Sequence, residues 1–421
     1  MKIVHIGTAD NSGGAARASF QLHEALLRLG HESRMLVGQK FEQRPEIERI
    51  GFSRSLHGRI LNRLVLELET RTGLQNLIQP KRYAFLSHPL VRDADILHLH
   101  NLHGNFFSHT ILPRLSKIAP IVWTLHDTWA LTGHCSYNYD CGRWETGCGK
   151  CPNLDEYPGI KLDTTAFLWR VKERVYRRTD MHIAAPSKWL VDMARRSPLL
   201  RGFEVHHIPY GIDTETFYPV DRPVARQGLR IPPDVHVVMI IALPGARRKG
   251  VDYFLAALHK LPQDLRPWIL VVGGRGVLNG VPPGISVREV GFVDSTEFMN
   301  LCYSSADVFV LPTLADNLPL ALLEALAAGT PSVAFDTGGV PDIISHMETG
   351  YLCRYKDSED LARGIQTLMN ANLMASMRPR CRDAATKEYA REVQARRYME
   401  VYERAVNLRR RAPGTDASAN D

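Results

Sequence analysis

The sequence predicts an α/β protein with two domains, each built on a parallel β-sheet. Its 421 residues are enough for two domains with separate hydrophobic cores. Short apolar runs rich in β-branched residues, such as 235–243, alternate with helical patterns, which is typical of buried parallel strands. Four prolines between positions 219 and 233 interrupt this alternation and indicate a linker.

We therefore expect a first domain over residues 1–217 and a second over residues 218–390. The final segment, 391–421, is predicted to be a helix that crosses back to the first domain and ends in a polar, disordered tail.

Composition and charge narrow the class of protein. A hydrophobic content of 44% and a charged content of 23% are those of a soluble globular protein. No apolar run reaches 18 residues and the N-terminus has the pattern of a strand, so we expect neither a transmembrane helix nor a signal peptide, and a cytoplasmic location. The net charge of +7 suits anionic ligands or a membrane surface, and no nucleic-acid motif accompanies it.

The first strand leads into a polar loop that contains Gly13 and Gly14 and opens a helix ending at Gly30. Such a loop can hold a phosphate or a sugar on its N–H groups. It lacks the G-x-G-x-x-G pattern, so it gives little support to NAD binding. A plain tight turn is the alternative interpretation.

Two segments, 54–82 and 167–178, mix arginines with apolar residues at helical spacing. We expect each to pack on its own core as an ordinary amphipathic helix, and contact with an anionic membrane is the alternative. Trp169 and five basic residues make 167–178 the better membrane candidate. In the first segment the pattern comprises Leu56, Ile60, Leu61, Leu64, Val65 and Leu68 beside Arg54, Arg59 and Arg63.

Two apolar runs of the first domain, 95–100 and 120–127, end in polar residues. Ligands gather at the carboxyl ends of strands in open α/β sheets, so His126 and Asp127 are placed for chemistry. A structural histidine is the alternative for His126.

A cysteine-rich insertion spans residues 134–152 and holds four of the seven cysteines with the spacing C-x5-C-x6-C-x2-C. Disulfides do not persist in a reducing compartment, so clustered thiols favour a structural Zn²⁺ in a closed tetrahedral site. Reduced, packed thiols or a disulfide-stabilised loop are the alternatives. The candidate ligands are Cys135, Cys141, Cys148 and Cys151.

The second domain begins with an apolar strand that leads into a basic loop, Arg247-Arg248-Lys249-Gly250. Cations at the carboxyl end of a strand suit a diphosphate leaving group, because they stabilise the negative charge that develops on it. A solvated basic loop is the alternative.

Residues 306–341 predict a strand, a loop holding Asp316, a helix that ends at Gly329, a second strand and a second helix start. Glu324 lies among apolar residues, so it must meet a polar partner. That partner is either a neighbouring backbone group or the vicinal hydroxyls of a ligand. Gly338 and Gly339 precede the second helix and can offer N–H groups to phosphate.

Here the sequence resembles a known family. Asp316-x7-Glu324, followed by Ala-Leu-Ala-Ala-Gly-Thr-Pro, is similar to the E-x7-E signature of the family 4 retaining glycosyltransferases, with an aspartate in place of the first glutamate. Residues 336–344 are similar to that family as well. Residues 124–152 resemble its colanic-acid-type branch, which has these cysteines, and the resemblance spans nearly the whole chain.

The resemblance implies the GT-B fold, in which two Rossmann-like domains face a central cleft. It implies transfer of a hexose, with retention, from a nucleoside diphosphate sugar to an oligosaccharide or glycolipid acceptor in exopolysaccharide biosynthesis. It implies no metal or other cofactor in catalysis. The enzyme is expected to be cytoplasmic and peripheral to the membrane.

The resemblance also assigns roles to residues. Glu324 would bind the ribose, Asp316 the donor sugar, and His126 the sugar near the reacting carbon. Arg247 and Lys249 would bind the diphosphate. Gly13 and Gly14 would lie near the donor phosphates and the acceptor, and Gly338 and Gly339 would bind donor phosphate.

Two rival functions stay open at this point. A nucleotide-sugar epimerase on the same scaffold would change the donor without an acceptor. A non-catalytic scaffold would use the cysteine insertion and the basic helices to dock a biosynthetic complex.

Overall fold

The computed structural model describes residues 1–51, 55–79 and 83–411 of the chain. The chain divides into two compact units, which we call unit 1 (1–209 and 394–421) and unit 2 (210–393). The predicted boundaries were 217 and 390. Arg54 and the predicted disordered tail, from residue 412 onward, lie outside the described residues.

Unit 1 contains a sheet of seven parallel strands in the order β3-β2-β1-β4-β5-β6-β7. Strand β1 is paired on both sides, with its Ile3 opposite Ser33 in β2 and Ile96 in β4. The strands are β1 (Lys2–Ala9), β2 (Glu32–Gln39), β3 (Ile47–Arg49), β4 (Ile96–Leu99), β5 (Ile121–Thr124), β6 (Met181–Ala185) and β7 (Val205–His207).

In the described residues before unit 2, seven α-helices accompany this sheet. They are α1 (Gly14–Arg28), α2 (Leu56–Thr72), α3 (Ala84–Ser87), α4 (Pro89–Arg92), α5 (Leu112–Ile118), α6 (Thr165–Tyr176) and α7 (Lys188–Arg196). Short 3-10 helices cover His109–Ile111 and Arg143–Glu145.

Unit 2 contains a sheet of six parallel strands in the order β10-β9-β8-β11-β12-β13. The strands are β8 (Val237–Ala242), β9 (Trp268–Gly273), β10 (Val287–Gly291), β11 (Val308–Leu311), β12 (Ser332–Phe335) and β13 (Gly350–Cys353). The helices are α8 (Arg222–Leu229), α9 (Val251–Leu258), α10 (Thr296–Ser305), α11 (Leu320–Ala327), α12 (Val340–Ile343), α13 (Ser358–Leu368) and α14 (Ala371–Glu388).

The last described helix, α15 (Arg391–Arg411), runs mainly in unit 1. Its Tyr398 and Tyr402 are fully buried and pack with Ile3 and Leu26, so α15 and α1 cover the same face of the sheet. Neighbouring Val4 belongs to the core on the other face, as the two-residue period of a strand requires. Unit 1 therefore has helix, sheet and helix layers.

In each sheet the order in which strands are added reverses at one point. In unit 1 the chain goes from β1 through β2 to β3 on one side and then returns to β4 on the other. Unit 2 does the same between β8 and β11. Open α/β sheets bind ligands at the carboxyl ends of the strands that flank such a switch point. The loops after β1 and β4, and after β8 and β11, are therefore the places to examine.

Helix α2 differs from the expectation for its segment. Only Val65 and Glu69 of this helix are buried. Five residues predicted to pack on the core are instead exposed, at 45% or more of their surface: Leu56, Ile60, Leu61, Leu64 and Leu68. The prediction of an ordinary core-facing stripe is therefore wrong for α2.

Helix α6 follows the core-packing expectation. Trp169 is buried and its indole N–H donates to the Trp144 carbonyl oxygen at 3.2 Å, which makes α6 a poor membrane candidate. Within the described part of the chain, no helix combines the length and apolar character needed to cross a membrane.

Candidate functional site

In unit 2 a basic loop follows β8 and is fixed by one glycine. A 3-10 helix covers Arg247–Lys249, and Gly250 follows with a φ of 67°. A Cβ atom at Gly250 would lie 1.8 Å from the Pro312 carbonyl oxygen, so no other residue fits there. This close approach places Arg248 and Lys249 against the loop that follows β11, and the Leu314 N–H donates to the Arg248 carbonyl at 2.8 Å.

Asp316 is the centre of a small charged cluster. Its Oδ1 lies 2.8 Å from Arg248 Nη1, and its Oδ2 lies 3.1 Å from Lys249 Nζ. The Thr313 hydroxyl donates to Oδ2 at 3.0 Å. Two cations thus meet one carboxylate, and their side chains are 25% and 18% exposed. The cluster has an excess of positive charge that remains accessible to an anionic ligand.

The charge state of Asp316 follows from its neighbours. Burial raises the pKa of this carboxyl group, but Lys249 and Arg248 outweigh burial and bring the pKa below its ordinary value. Asp316 is therefore ionised and accepts hydrogen bonds only. A carboxylate has about four acceptor positions, and the two cations and Thr313 use three of them. Among the described residues, these contacts leave one position on Oδ1 for a further donor.

The arginine at this cluster is Arg248, one position beyond the predicted Arg247. Arg247 is exposed, and Arg248 also donates to the Ala315 carbonyl at 2.5 Å. Neighbouring side chains of a tight helical turn point in different directions, so only one of the two arginines can face Asp316. Three consecutive basic residues give no sequence signal for which one does.

The predicted phosphate turn packs against the backbone of Asp316. Gly338 has a φ of 55°, and a Cβ atom there would lie 2.0 Å from the Asp316 carbonyl oxygen. The Gly339 N–H donates to that oxygen at 3.2 Å. The loops after three adjacent strands, β8, β11 and β12, therefore meet at Asp316.

Glu324 lies in the second turn of α11 and is only 2% exposed. Its Oε2 accepts a hydrogen bond from the Tyr303 hydroxyl at 2.8 Å. Tyr303 belongs to α10 and is fully buried, with its ring edge-on to Phe309 at 5.2 Å. One oxygen of Glu324 is thus held by a side chain of the core. Gly329 has a φ of 70° just beyond α11, as predicted for a left-handed cap.

In unit 1, Gly13 and Gly14 form the exposed start of α1. Gly13 is the N-cap residue with a φ of 87°, and a Cβ atom on either glycine would meet nothing within 4 Å. The loop before them is held by Asp10, which is fully buried and accepts the N–H groups of Asn11, Phe41 and Glu42 at 2.8 to 3.0 Å. Asp10 had no signal in the sequence beyond its place after β1.

His126 stands at the end of a chain of buried histidines. Its Nε2 lies 2.9 Å from His100 Nδ1, and His100 Nε2 lies 2.9 Å from His5 Nδ1. Burial lowers the pKa of His126 to about 4 and lowers the pKa values of His100 and His5 well below 6.5. All three rings are therefore neutral at neutral pH.

The direction of the hydrogen bonds between these histidines follows from His5, the innermost of the three. His5 Nε2 is buried and has no hydrogen-bond partner among the residues that the structure describes. If the rings donated inward, His5 would bury an unpaired N–H, which proteins avoid more strictly than an unpaired acceptor. We therefore assign the donors outward, from His5 to His100 and from His100 to His126 Nε2. His126 then bears its proton on Nδ1.

Asp127 is held beside these histidines by His103, a residue for which the sequence predicted no role. Asp127 Oδ2 lies 2.8 Å from His103 Nε2, and Oδ1 accepts the Trp129 N–H at 2.9 Å. Burial raises the pKa of Asp127, but the neighbouring His103 outweighs burial and keeps the pKa below its usual value. These residues, with His100 and His126, line a small cavity at the ends of β4 and β5.

Two sets of residues bring three potential metal ligands within 4.8 Å of one another in the described chain. The first, His5, His98 and His100, is a core network, since His98 contacts the Tyr402 hydroxyl at 2.6 Å and Thr124 Oγ1 at 2.7 Å. The second, His182, Glu204 and His206, lies on β6, β7 and the residue before β7, and Glu204 also pairs with Arg404 on α15 at 3.1 Å. Neither set lies in the Asp316 cluster.

Two family models match the chain. Residues 12–216 match the model described as Glycosyltransferase Family 4, and residues 235–371 match the model described as Glycosyl transferases group 1. The first match covers most of unit 1, and the second lies within unit 2.

Individual proteins are similar to most of the chain. A protein named as a colanic acid biosynthesis glycosyl transferase, WcaC of Escherichia coli K12, is 24% identical over 82% of this chain and 85% of its own length. Sucrose-phosphate synthase from Thermosynechococcus elongatus aligns with a TM-score of 0.67 and 18% identity, over 97% of this chain and 100% of that one. HepE of Anabaena, solved in complex with UDP-glucose, aligns with a TM-score of 0.64 and 15% identity, over 96% and 99%. The predicted fold class, two parallel-sheet α/β domains like those of GT-B proteins, is confirmed.

Proposed function

We propose that this chain, which belongs to the glycosyltransferases that combine a family 4 domain with a group 1 domain, transfers a hexose from a nucleoside diphosphate sugar to an oligosaccharide or glycolipid acceptor in surface polysaccharide biosynthesis. The transfer proceeds with retention of configuration and without a metal in the catalytic step.

The cluster of Arg248, Lys249 and Asp316 is the observation on which the proposal depends. Breaking the bond between the sugar and the diphosphate leaves negative charge on the diphosphate, and fixed cations lower the barrier by stabilising that charge. The two cations are oriented by Asp316 before any ligand arrives, with contacts of 2.8 and 3.1 Å. They therefore need little reorganisation when the donor binds.

The donor is a nucleoside diphosphate sugar. HepE, which is similar to this chain in fold, has been solved with UDP-glucose, so UDP-glucose is the first donor to examine. In the proposed complex the remaining acceptor position on Asp316 Oδ1 takes a sugar hydroxyl, and Glu324 takes the ribose hydroxyls. The turn at Gly338 and Gly339 lies beside the diphosphate.

His126 is proposed to contact the donor sugar near the reacting carbon. As a neutral ring with its proton on Nδ1, it can donate a hydrogen bond to a hydroxyl or an oxygen of the sugar. It would not add a further positive charge at neutral pH, since its pKa is about 4. Gly13 and Gly14 are proposed to lie near the donor phosphates and the acceptor.

A peripheral contact with the inner face of the membrane is proposed through α2. Six Leu and Ile side chains of this helix are exposed, and five of them, all except Leu66, follow one side of it, with Arg59 and Arg63 exposed beside them. Helices of this kind lie in the surface of anionic bilayers. Co-sedimentation with anionic vesicles tests this proposal, and a Leu64→Ser, Ile60→Ser double variant should bind them less.

The central experiment begins with a thermal-shift panel of nucleoside diphosphate sugars, because a ligand that binds the native state raises its melting temperature by mass action. The donor found is then incubated with the chain, with and without a glycolipid extract. Transfer to the extract supports the proposal. Conversion of the sugar in the absence of an acceptor would identify an epimerase, and binding without turnover would favour a scaffold.

A further inference from the structure

The cysteine insertion folds over the start of α6 and gathers its thiols around one small cavity. Cys135, Cys141, Cys148 and Cys151 all line this cavity, together with His134. The side chains come from two turns of the loop, so residues that are up to 16 positions apart converge. The neighbouring His134 Nε2 lies 3.4 Å from Cys151 Sγ.

The turn between Cys148 and Cys151 has an unusual backbone. Gly147, Cys148, Gly149 and Lys150 all have positive φ values, from 49° to 104°. Two of these four are not glycines, and such conformations persist only where the surroundings impose them. The turn is tied to α6, because the Gly149 N–H donates to Thr165 Oγ1 at 2.9 Å and the Cys151 N–H to Asp163 Oδ2 at 2.8 Å.

One thiol already accepts a backbone hydrogen bond. The Gly133 N–H donates to Cys148 Sγ at 3.2 Å. Sulfur is a weak acceptor as a thiol and a much better one as a thiolate, because hydrogen bonds to ionised acceptors are stronger. Close packing fixes this contact, since a Cβ atom on Gly133 would lie 2.6 Å from the Thr165 carbonyl oxygen.

Lys172, on the buried side of α6, is a second and independent feature beside the cysteines. Its side chain is 1% exposed, and Nζ lies 3.7 Å from the centre of the Trp129 ring. Nζ donates to the carbonyl oxygens of Trp129 at 2.6 Å and Thr132 at 2.9 Å. Within the described chain Lys172 forms no ion pair with a carboxylate, although a buried ammonium without a counter-charge is strongly unfavourable.

Lys172 lies beside the cysteine cavity, because Thr132, whose carbonyl oxygen accepts from Nζ at 2.9 Å, lines that cavity together with the four cysteines. Four neutral thiols provide no charge. Four thiolates on one Zn²⁺ provide a net charge of −2, which a single buried ammonium offsets in part.

We infer that Cys135, Cys141, Cys148 and Cys151 bind one Zn²⁺ ion as thiolates, and that Lys172 is the buried counter-charge of this site. Binding replaces four thiol protons by the ion and involves no oxidation or reduction. Zinc binds four cysteines tetrahedrally at about 2.3 Å in structural sites. No three of the four Sγ atoms lie within 4.8 Å of one another here, so the ion would draw the two turns of the loop together.

The zinc site would stabilise the segment that follows Asp127 in the chain. Lys172 is bonded to the carbonyls of Trp129 and Thr132, and the Trp129 N–H is bonded to Asp127. The metal, Lys172 and this segment form one connected structure. The role is structural, since all four positions around the ion are taken by protein.

Metal analysis of the full-length chain, purified without chelators under reducing conditions, is the test. We expect about one zinc per chain, in line with four cysteine ligands. Cys148→Ser and Cys151→Ser should lose the zinc, and Cys381→Ala, which removes a buried thiol of unit 2, should retain it. If a serine variant does not fold, titration of the wild-type protein with a mercurial reagent should release the zinc as thiols are consumed.

Replacement of Lys172 tests the second half of the inference. Lys172→Met should weaken zinc binding by about 10- to 100-fold, as changes just outside a metal's ligands do, measured by competition with a chromophoric chelator. Cobalt substitution should give the intense visible bands of a tetrahedral thiolate site. Zinc-free protein with four reactive thiols, or with two disulfides, would overturn the inference, and so would unchanged zinc affinity in Lys172→Met. These outcomes do not depend on whether the chain transfers a sugar.

Discussion

Lys249 Nζ lies 3.1 Å from Asp316 Oδ2, although 67 residues separate them in the chain. The contact exists because the loops after β8 and β11 meet at the switch point of the sheet and because Gly250 leaves room for the Pro312 carbonyl. A cation that is already oriented in this way can stabilise a diphosphate with little reorganisation of its own side chain.

Replacing Lys249 or Arg248 should reduce activity more than replacing the neighbouring Arg247. We expect Lys249→Ala and Arg248→Ala each to lower kcat/KM for sugar transfer by about 100-fold or more. Each variant loses a preorganised positive charge that would stabilise the leaving diphosphate. Arg247→Ala is the matched control, since Arg247 is exposed and lies next to them in sequence. Equal losses in all three variants, measured by steady-state kinetics, would contradict the placement of Arg248 at the diphosphate.

Gly250 should be irreplaceable for a steric reason. Gly250→Ala puts a Cβ atom 1.8 Å from the Pro312 carbonyl oxygen, and Gly245→Ala, with a similar φ of 71°, meets nothing within 4 Å. We expect Gly245→Ala to cost about 1 kcal/mol for its backbone conformation alone, and Gly250→Ala clearly more. Thermal unfolding of both variants decides the matter, and equal melting temperatures would show that the loop relaxes freely.

Tyr303 should position Glu324. Tyr303→Phe removes the hydroxyl that donates to Glu324 Oε2 and leaves the ring in place. We expect it to raise KM for the donor severalfold with a smaller effect on kcat, because it frees the carboxylate that is proposed to hold the ribose. Glu324→Gln should have a larger effect in the same direction. A change in melting temperature without a change in KM would instead mark the pair as structural.

His100 should act through His126. His100→Phe removes the ring whose Nδ1 lies 2.9 Å from His126 Nε2, so His126 would lose the partner that fixes its proton on Nδ1. We expect a loss in kcat of about 10-fold and a changed tautomer of His126 in nitrogen NMR. His109→Phe is the control, because in the described part of the chain neither ring nitrogen of that buried histidine has a hydrogen-bond partner. An unchanged His126 spectrum in His100→Phe would refute the assignment.

Acid should destabilise unit 1 at a pH at which most carboxylates are still ionised. Burial lowers the pKa of His126 and of His23 to about 4 and of His109 to about 3, against 6.5 when unfolded. The unfolded state therefore binds more protons below pH 6.5, and stability falls by about 1.4 kcal/mol per pH unit for each such group until its folded pKa is reached.

Calorimetry between pH 7 and pH 4.5 measures this dependence. The melting transition of unit 1 should move steadily to lower temperature, and His109→Phe should reduce the slope, since one fewer proton is taken up. His57→Ala, at an exposed position of α2, should leave the slope unchanged. A melting temperature that stays constant down to pH 4.5 would show that these rings are not buried as neutral groups.

The sequence by itself determined the class of fold, the alternation of strands and helices, and the places where a site could form. These follow from local patterns: apolar runs of strand length, the glycine cap at Gly329, and polar residues at strand ends such as His126 and Asp316. Each depends on neighbours within a few positions, so the chain displays it directly.

The tertiary structure decided which residues meet. Arg248 rather than Arg247 reaches Asp316, Tyr303 reaches Glu324, and His100 and His5 extend inward from His126. Likewise, the apolar stripe of α2 is exposed, whereas Trp169 and Lys172 of α6 are buried. A periodic pattern identifies a helix face but not what covers it, because burial and pairing depend on segments that are distant in sequence and brought together only by the order of strands in each sheet.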